Sequence, residues 1–166
     1  MFEDEAEMNN VVYAIGDKSE EEMVRKGYVK YIGVIDSGAV DHVAFPGSFP
    51  NVAIKPSERS ENGKHFASTI GQVIENMGEK RIGLTTNEGH RRNVVFQIAK
   101  VKRILLSARR MAKAGNRTIL DEKNPYVENT ATKERIQLRM EGSLYVMDFW
   151  VKSDTTKREG FIRQGR

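Results

Sequence analysis

Residues Tyr28 to Ala39, with the sequence YVKYIGVIDSGA, decide which fold this chain is expected to adopt. The first eight are rich in β-branched and aromatic side chains and predict a β-strand. The last four, Asp36-Ser37-Gly38-Ala39, favour a turn, so we expect the strand to end abruptly there. The glycine lets the backbone approach closely, and the serine hydroxyl can hydrogen-bond within the turn. The pattern therefore predicts one carboxylate, that of Asp36, in a tight turn at a strand end.

A glycine-centred β-hairpin is predicted further along the chain. Phe66–Ile70 forms its incoming segment, Val73–Met77 its outgoing segment, and Gly71-Gln72 its tip. Asn93–Val101 alternates between apolar and polar residues, as a half-buried strand does. The stretch from His42 to Ser60 is broken by prolines and predicts no regular element.

One amphipathic helix is predicted after these strands. Several apolar residues share one face at helical spacing, and a glycine after them supplies a stop. These residues are Ile104, Leu105, Ala108, Met111 and Ala112. We therefore expect a core helix near Ile104–Ala114. Further strand candidates follow it at Thr118–Leu120, Arg135–Arg139 and Ser143–Val151.

Together these elements predict an all-β domain with one short helix in its C-terminal third. The domain is expected to span residues 27–152. An acidic N-terminal extension, residues 1–26, precedes it and contains a short helix predicted from Ser19 to Arg25, which Gly27 ends. A basic tail, residues 153–166, follows the domain.

The composition excludes several classes of protein. No cysteine occurs, which excludes disulfide scaffolds, thiolate metal sites and cysteine nucleophiles. The histidines His42, His65 and His90 lack the spacing of metal ligands, so we expect no metal and no cofactor. No apolar run approaches the roughly 20 residues of a membrane-spanning helix. The start of the chain is acidic, unlike a secretion signal, which favours an intracellular over a secreted protein.

Positive charge is concentrated in the middle of the chain. Residues 1–36 contain four Lys/Arg and nine Asp/Glu, whereas residues 79–117 contain eleven Lys/Arg and two Asp/Glu. Such a patch can bind nucleic acid or an acidic partner. Because few aromatic residues for base stacking lie within it, a solvated helix face with charged strand edges is the simpler interpretation. We expect at most weak, non-specific binding of nucleic acid.

The chain resembles the retropepsin-like aspartic proteases encoded by retrotransposon-type polyproteins. Four features occur in the family's order between about Tyr28 and Lys152. They are the strand ending in Asp36-Ser37-Gly38-Ala39, the hairpin around Gly71 followed by Asn76-Met77-Gly78-Glu79, the apolar strand Phe96–Ala99 leading to the helix that starts with Ile104–Ser107, and the closing pair of strands that ends with Gly142–Trp150.

The resemblance implies an aspartic endopeptidase, a hydrolase with a retropepsin-like closed β-barrel-type fold. Asp36 matches the catalytic aspartate, and Ser37-Gly38-Ala39 the turn that holds it beside a peptide substrate. Ile70-Gly71-Gln72-Val73 matches the flap, which closes over that peptide. Two carboxylates must share one proton, so that one acts as base and the other as acid. Since the chain has a single Asp-Ser/Thr-Gly motif, an active enzyme would be a homodimer that contributes Asp36 twice.

A catalytically silent protein of the same fold is the alternative. Ser107 stands where retroviral relatives have glycine, and the flap carries the bulky residues Ile70 and Val73. Such a module would be a structural or docking subunit of a larger assembly, with the acidic extension and the basic tail as segments that bind a partner protein. His42 follows Asp36 closely and could act as a general base, but such a histidine more often serves as a hydrogen-bonding residue.

Overall fold

The structure, a computed structural model, describes residues 20–67 and 70–153. Most of the predicted acidic extension and nearly all of the basic tail lie outside the described residues. The described chain divides into two compact units, one with residues 20–29 and 152–153 and the other with residues 30–151. The chain is mostly β-structure, as the sequence predicts, with twelve strands and three short helices in its described part.

Seven of the strands form one sheet, in the order β1-β7-β2-β6-β5-β12-β11, and β1 also pairs with β12. Strands β8, β9 and β10 form a second, antiparallel sheet, and β3 pairs with β4. The strands are β1 Tyr28–Asp36, β2 Val43–Ala44, β3 Phe66–Ala67, β4 Val73–Ile74, β5 Gly78–Thr86, β6 Arg91–Ile98, β7 Ile104–Ser107, β8 Asn116–Ile119, β9 Tyr126–Asn129, β10 Arg135–Gln137, β11 Arg139–Glu141 and β12 Leu144–Lys152. The helices are α1 at residues 20–25, α2 Glu58–Glu61 and α3 Ala108–Lys113.

The core of the unit formed by residues 30–151 contains a cluster of aromatic rings. Phe49, Phe96 and Phe149 are fully buried. The ring centroid of Phe96 lies 5.1 Å from the ring centroid of Phe49 and 6.2 Å from that of Phe149. Leu106 of β7 belongs to the same core and lies against Gly33 of β1, where no side chain intervenes. Close packing against the core therefore fixes the position of β1, the strand whose last residue is Asp36.

β5, a strand of nine residues, was not predicted from the sequence. Buried and more exposed residues alternate along it, but one buried residue is Lys80. The Lys80 ammonium donates hydrogen bonds to the carbonyl oxygens of Ser48, at 2.7 Å, and Phe49, at 3.1 Å. Burial lowers the pKa of Lys80. A charged residue on the core face hid the alternation that normally identifies a strand.

The predicted helix near Ile104–Ala114 is wrong over its first four residues. Ile104–Ser107 form β7, which runs parallel to β1 with Ser107 opposite Asp36. Helix α3 begins only at Ala108 and contains no buried residue, so it is not a core helix. Spacing alone cannot distinguish a helix from a buried strand in a short apolar run. Pairing with β1 decides the conformation here.

Three further elements differ from expectation. The proline-broken stretch His42–Ser60 contains β2 and the start of α2, which a capping box at Ser57 initiates. β9 was not predicted, and the candidate strand Arg135–Arg139 is divided between β10 and β11. Of these, β2 depends on partners distant in sequence, because it pairs with β6 and β7, whereas β9 pairs with β8 and β10, the strands that precede and follow it in the chain.

The smaller unit contains residues 20–29, which include α1, and residues 152–153. The described part of α1 agrees with the predicted helix, whose first residue, Ser19, lies outside the described residues. Gly27 follows the helix with φ of 87°, in the left-handed region that favours glycine. The backbone N–H and the hydroxyl of Ser153 both donate to the Gly27 carbonyl at 2.7 Å.

Candidate active site

The Asp36 turn, residues Asp36–Ala39, follows directly from the end of β1. The Asp36 side chain is partly buried, and its Oδ1 accepts a 2.8 Å hydrogen bond from the Gly38 N–H. A Cβ atom at residue 38 would lie 3.3 Å from this oxygen, which is tight for that contact. Ser37 is exposed and forms no hydrogen bond with another described residue, so the bond predicted for its hydroxyl is absent. A backbone amide holds the carboxylate instead.

A fully buried serine at the end of β7 supports this turn. The Ser107 hydroxyl donates a 2.6 Å hydrogen bond to the Ala39 carbonyl oxygen. The same hydroxyl oxygen accepts a 3.1 Å bond from the Arg110 N–H and thereby caps the N-terminus of α3. The backbone N–H of Ser107 donates to Nδ1 of His42 at 3.0 Å. We call these four residues, Ala39, His42, Ser107 and Arg110, the Ser107 cluster.

His42 acts in this cluster as a hydrogen-bond acceptor, which requires an unprotonated Nδ1. Burial, together with the positive charge of Arg110 and against the attraction of Asp41, lowers the pKa of His42 to about 4. The imidazole is therefore neutral at neutral pH, with its proton on Nε2. The geometry agrees with the hydrogen-bonding interpretation of His42. A general base takes up a proton on its unprotonated nitrogen, and in His42 that nitrogen, Nδ1, already accepts the hydrogen bond from the Ser107 N–H.

A buried carboxylate, Asp41, lies between two arginines beside the turn. Its Oδ1 is 3.4 Å from Nε of Arg110, and its Oδ2 is 3.2 Å from Nε of Arg59. The approach of Arg59 lacks hydrogen-bond geometry, so this contact is an ion pair only. Because Arg110 also belongs to the Ser107 cluster, α2, α3 and the turn are joined through one group of charges.

The predicted flap corresponds to the β3–β4 hairpin, with shorter strands than expected. Phe66 pairs with Ile74, and Ala67 with Val73. Gly71 has φ of 82°, which explains a glycine at the tip. The side chain of Ile70 is 79% exposed and that of Val73 is 73% exposed. Residues 68 and 69, between the strands, lie outside the description. The hairpin therefore presents apolar side chains to solvent.

A buried asparagine fixes the base of this hairpin to the main sheet. The Asn76 side chain donates to Oε1 of Gln97 on β6 and accepts from the Gly78 N–H, both at 2.9 Å. A side chain at Gly78 would collide with the backbone of Lys55, and φ there is 126°. The pattern Asn-x-Gly-Glu is thus explained by two requirements. The Asn76 side chain bonds to Gln97 and to the Gly78 N–H, and residue 78 must be glycine because the backbone of Lys55 lies so close.

The sequence-predicted site residues form two groups, and each is anchored to the seven-stranded sheet. Asp36, Ser37, Gly38 and Ala39 form the turn anchored to β7, and the tip residues 70–73 belong to the hairpin anchored to β6. Ser107, the residue that differs from the retroviral pattern, contacts the turn through Ala39, and His42 contacts Ser107. Sequence reasoning missed their link, because a run assigned to a helix hid the strand that brings residue 107 opposite Asp36.

The basic region at residues 79–117 is partly neutralised. Arg92 pairs with Glu134, Arg103 with Glu141, Arg110 with Asp41, and Arg117 with Glu128, and Lys80 is buried. The exposed basic residues left are Arg81, Arg91, Lys100, Lys102, Arg109 and Lys113. The charge excess of the sequence is therefore larger than the charge available to a partner.

A cavity of about 540 Å³ borders the Ser107 cluster, because His42 and Arg110 are among its lining residues. Buried side chains such as Leu84, Val127 and Met147 line it, with Arg92 and Lys113 among its polar lining, whereas residues 36–39 and 70–73 do not line it. Across residues 20–67 and 70–153, no three His, Asp or Glu side chains are grouped so as to hold a metal ion. Within the same ranges, no helix is long and apolar enough to cross a membrane.

Comparisons of the chain with protein-family models, with curated proteins and with solved structures found no match.

Proposed function

We propose that this chain is a retropepsin-like aspartic protease domain of the retrotransposon type, which hydrolyses peptide bonds as a homodimer. The observation that carries the proposal is the Asp36 turn. Its carboxylate stands at the end of a strand, accepts a backbone hydrogen bond at 2.8 Å, and lies beside the parallel strand β7. A preorganised and partly buried carboxylate of this kind suits acid–base chemistry.

The proposal includes the closed barrel that the resemblance implies. Neighbouring strands follow the order β1-β7-β2-β6-β5-β12, and the additional pairing of β12 with β1 returns to the first strand. This order supports closure. A closed sheet would give the turn a rigid base, because it leaves no free edge among those six strands.

The chemistry requires a second carboxylate, which a symmetric dimer would supply. Two Asp36 side chains facing each other across a two-fold axis would share one proton, since like charges at close range do not both ionise. The ionised copy would take a proton from water as the water oxygen attacks the peptide carbonyl carbon. The protonated copy would give its proton to the carbonyl oxygen. Collapse of the tetrahedral intermediate, with protonation of the amine, would break the C–N bond.

The substrate would be a peptide in an extended conformation. The β3–β4 hairpin would cover it, and the exposed side chains of Ile70 and Val73 would contact its apolar residues. Burial of such side chains on a bound peptide removes apolar area from water, which favours closure. No metal or cofactor takes part in this chemistry.

The proposal is tested with purified full-length chain and an unfolded polypeptide substrate between about pH 3 and pH 7. We expect cleavage with a bell-shaped pH profile, whose two apparent pKa values belong to the pair of carboxylates. Asp36→Asn keeps the size of the side chain but removes the shared proton, and should lower kcat at least on the order of 10²–10⁴-fold. Asp121→Asn, at an exposed residue, is the matched control and should retain full activity.

The homodimer is tested by mixing the two forms. If the Asp36→Asn chain exchanges with an equal amount of wild-type chain, only about a quarter of the dimers contain two intact carboxylates, and activity per wild-type chain falls by about half. Specific activity should also fall on dilution below the dimer dissociation constant, as measured by sedimentation. Activity independent of both mixing and dilution contradicts the shared dyad.

A folded wild-type chain that cleaves nothing across this pH range, and that does not bind a transition-state analogue of peptide hydrolysis, contradicts the protease proposal. The alternative, a silent docking module, then takes its place. In that case Asp36→Asn would leave every measured property of the chain unchanged.

A further inference from the structure

We propose that Ser107 is a positioning residue for the Asp36 turn, acting through its hydrogen bond to the Ala39 carbonyl. The role in activity rests on the proposed function, whereas the role in fixing the turn does not. Ser107 lies opposite Asp36 in the β1–β7 pairing and is fully buried, so its position is set by the core rather than by solvent.

The hydrogen-bonding capacity of the Ser107 hydroxyl is directed at two specific groups. It has one proton, which is donated to the Ala39 carbonyl at 2.6 Å, the shortest bond described around the turn. Its oxygen accepts from the Arg110 N–H at 3.1 Å. Donation to Arg110 is impossible, because a backbone amide cannot accept, so the direction of the proton is fixed. The hydroxyl thus ties the turn to the start of α3.

The backbone of Ser107 is held independently of its side chain. Its N–H donates to Nδ1 of His42 at 3.0 Å, and residue 42 lies three positions beyond Ala39. Two residues of the loop between Asp36 and β2, Ala39 and His42, are therefore hydrogen-bonded to Ser107. Between them these bonds restrain the segment that carries the catalytic-type carboxylate.

A glycine at residue 107 would keep the bond to His42 and lose the bond to Ala39. Ser107 has φ of −74° and ψ of 113°, an extended conformation that any residue adopts, so backbone geometry does not demand glycine there. The serine that departs from the retroviral pattern therefore adds a hydrogen bond to the turn. It supplies, from within one chain, a restraint on the turn that glycine cannot supply.

The test compares Ser107→Ala, Ser107→Thr and Ser57→Ala. The alanine variant removes the hydroxyl, and the threonine variant keeps it. Ser57 is a second buried serine that caps a short helix, so Ser57→Ala repeats the loss of a cap at α2 without touching the turn. Urea unfolding of each variant establishes that it folds and allows comparison at matched stability.

The first readout is hydrogen exchange of the Gly38 amide, which donates to Asp36. We expect exchange to accelerate about tenfold in Ser107→Ala and to remain at the wild-type rate in Ser57→Ala and Ser107→Thr. This measurement needs no catalytic activity. Equal protection of Gly38 in all four proteins overturns the proposal, whatever the chain catalyses.

The second readout is the kinetics of peptide cleavage. In Ser107→Ala we expect kcat to fall about 10- to 100-fold with KM nearly unchanged, because a misplaced carboxylate impairs chemistry more than binding. The pH profile should shift as well, with recovery in Ser107→Thr. If the wild type cleaves and Ser107→Ala cleaves equally well, the positioning role is wrong while the protease function stands. If the wild type neither cleaves peptides nor binds a transition-state analogue, but Gly38 exchange responds as expected, the protease function is wrong while the restraint stands.

Discussion

The Asp36 turn and the β3–β4 hairpin are held to the same sheet in opposite ways. The turn is fastened through a fully buried serine, and the buried side chain of Leu106 packs against Gly33 in the strand that leads to it. The hairpin has strands of two residues each and exposes Ile70 and Val73 at its tip. Among its described residues, Asn76 at the base is the one joined to the sheet by buried side-chain hydrogen bonds.

Under the proposed function, the site must hold a reacting group in place and admit a polypeptide, and this difference fits both requirements. A carboxylate that transfers protons needs a fixed position, whereas a segment that covers a peptide must open at low cost. Segments with few buried apolar contacts open with small free energies, and strands packed in the core open only with the whole fold. The four predictions below compare these regions, beginning with the largest effect.

Leu106→Ala should destabilise the protein most, because it leaves a cavity in the core beneath the turn. The side chain is 3% exposed and contacts β1 at Gly33. We expect the free energy of unfolding in urea to fall by about 2–5 kcal/mol. Leu144→Ala, the same substitution at a leucine that is 38% exposed, serves as the control and should cost far less. Equal losses for the two variants would show that the turn does not rest on a packed core.

Acid should weaken the turn region through His42. Its pKa of about 4 in the folded chain lies below the ordinary value of 6.5, so the unfolded chain binds the extra proton between these values. Stability is therefore retained above pH 6.5, is lost as pH falls toward 4, and changes no further below it. The total loss is at most about 3 kcal/mol.

The measurement for this prediction is the difference in unfolding free energy between wild type and His42→Gln across the same pH range. The difference removes the contribution of carboxylates that titrate in both proteins. Arg110 favours the neutral imidazole and Asp41 favours the charged form, so both must remain intact. A difference that stays constant from pH 7 to pH 4 contradicts the assignment of His42 as a buried neutral acceptor.

Asn76→Ala should loosen the hairpin without affecting the turn. The change leaves Oε1 of Gln97 and the N–H of Gly78 without their present partners, at a cost of about 1–3 kcal/mol. Asn51→Ala, at an exposed asparagine, is the control. Hydrogen exchange should accelerate across the described residues of the hairpin while Gly38 keeps its protection. Simultaneous loss of protection at Gly38 would mean that the two regions open as one.

Ile70→Ser should have the smallest effect on stability, within about 0.5 kcal/mol, because the side chain is 79% exposed and packs little. Under the proposed function its effect falls on peptide binding, and we expect KM to rise severalfold with little change in the unfolding midpoint. The comparison with Asn76→Ala separates contacts made by the tip from the attachment of the base. A large loss of stability would show that the tip packs against the protein.

Local patterns predicted the elements whose cause is local. The strand before Asp36 and the turn after it follow from β-branched residues and a glycine, and both were recognised in the sequence. The hairpin was recognised from Gly71, although its strands are shorter than expected. The elements missed or misassigned, β5 and β7 among them, depend on partners. The buried Lys80 interrupts the apolar pattern of β5, so the strand was not recognised. The apolar run of β7 fits both a helix and a strand, and its pairing with β1 decides for the strand.

The sequence by itself determined that the chain is mostly β, that no cysteine chemistry is possible, and that one carboxylate, Asp36, stands at the end of a strand. These properties depend on residue type and on neighbours a few positions away. The tertiary structure alone decided that Ser107 contacts the Asp36 turn and that His42 contacts Ser107. The reason is that parallel pairing joins residues 36 and 107, which are separated by most of the domain, and local spacing carries no record of that register.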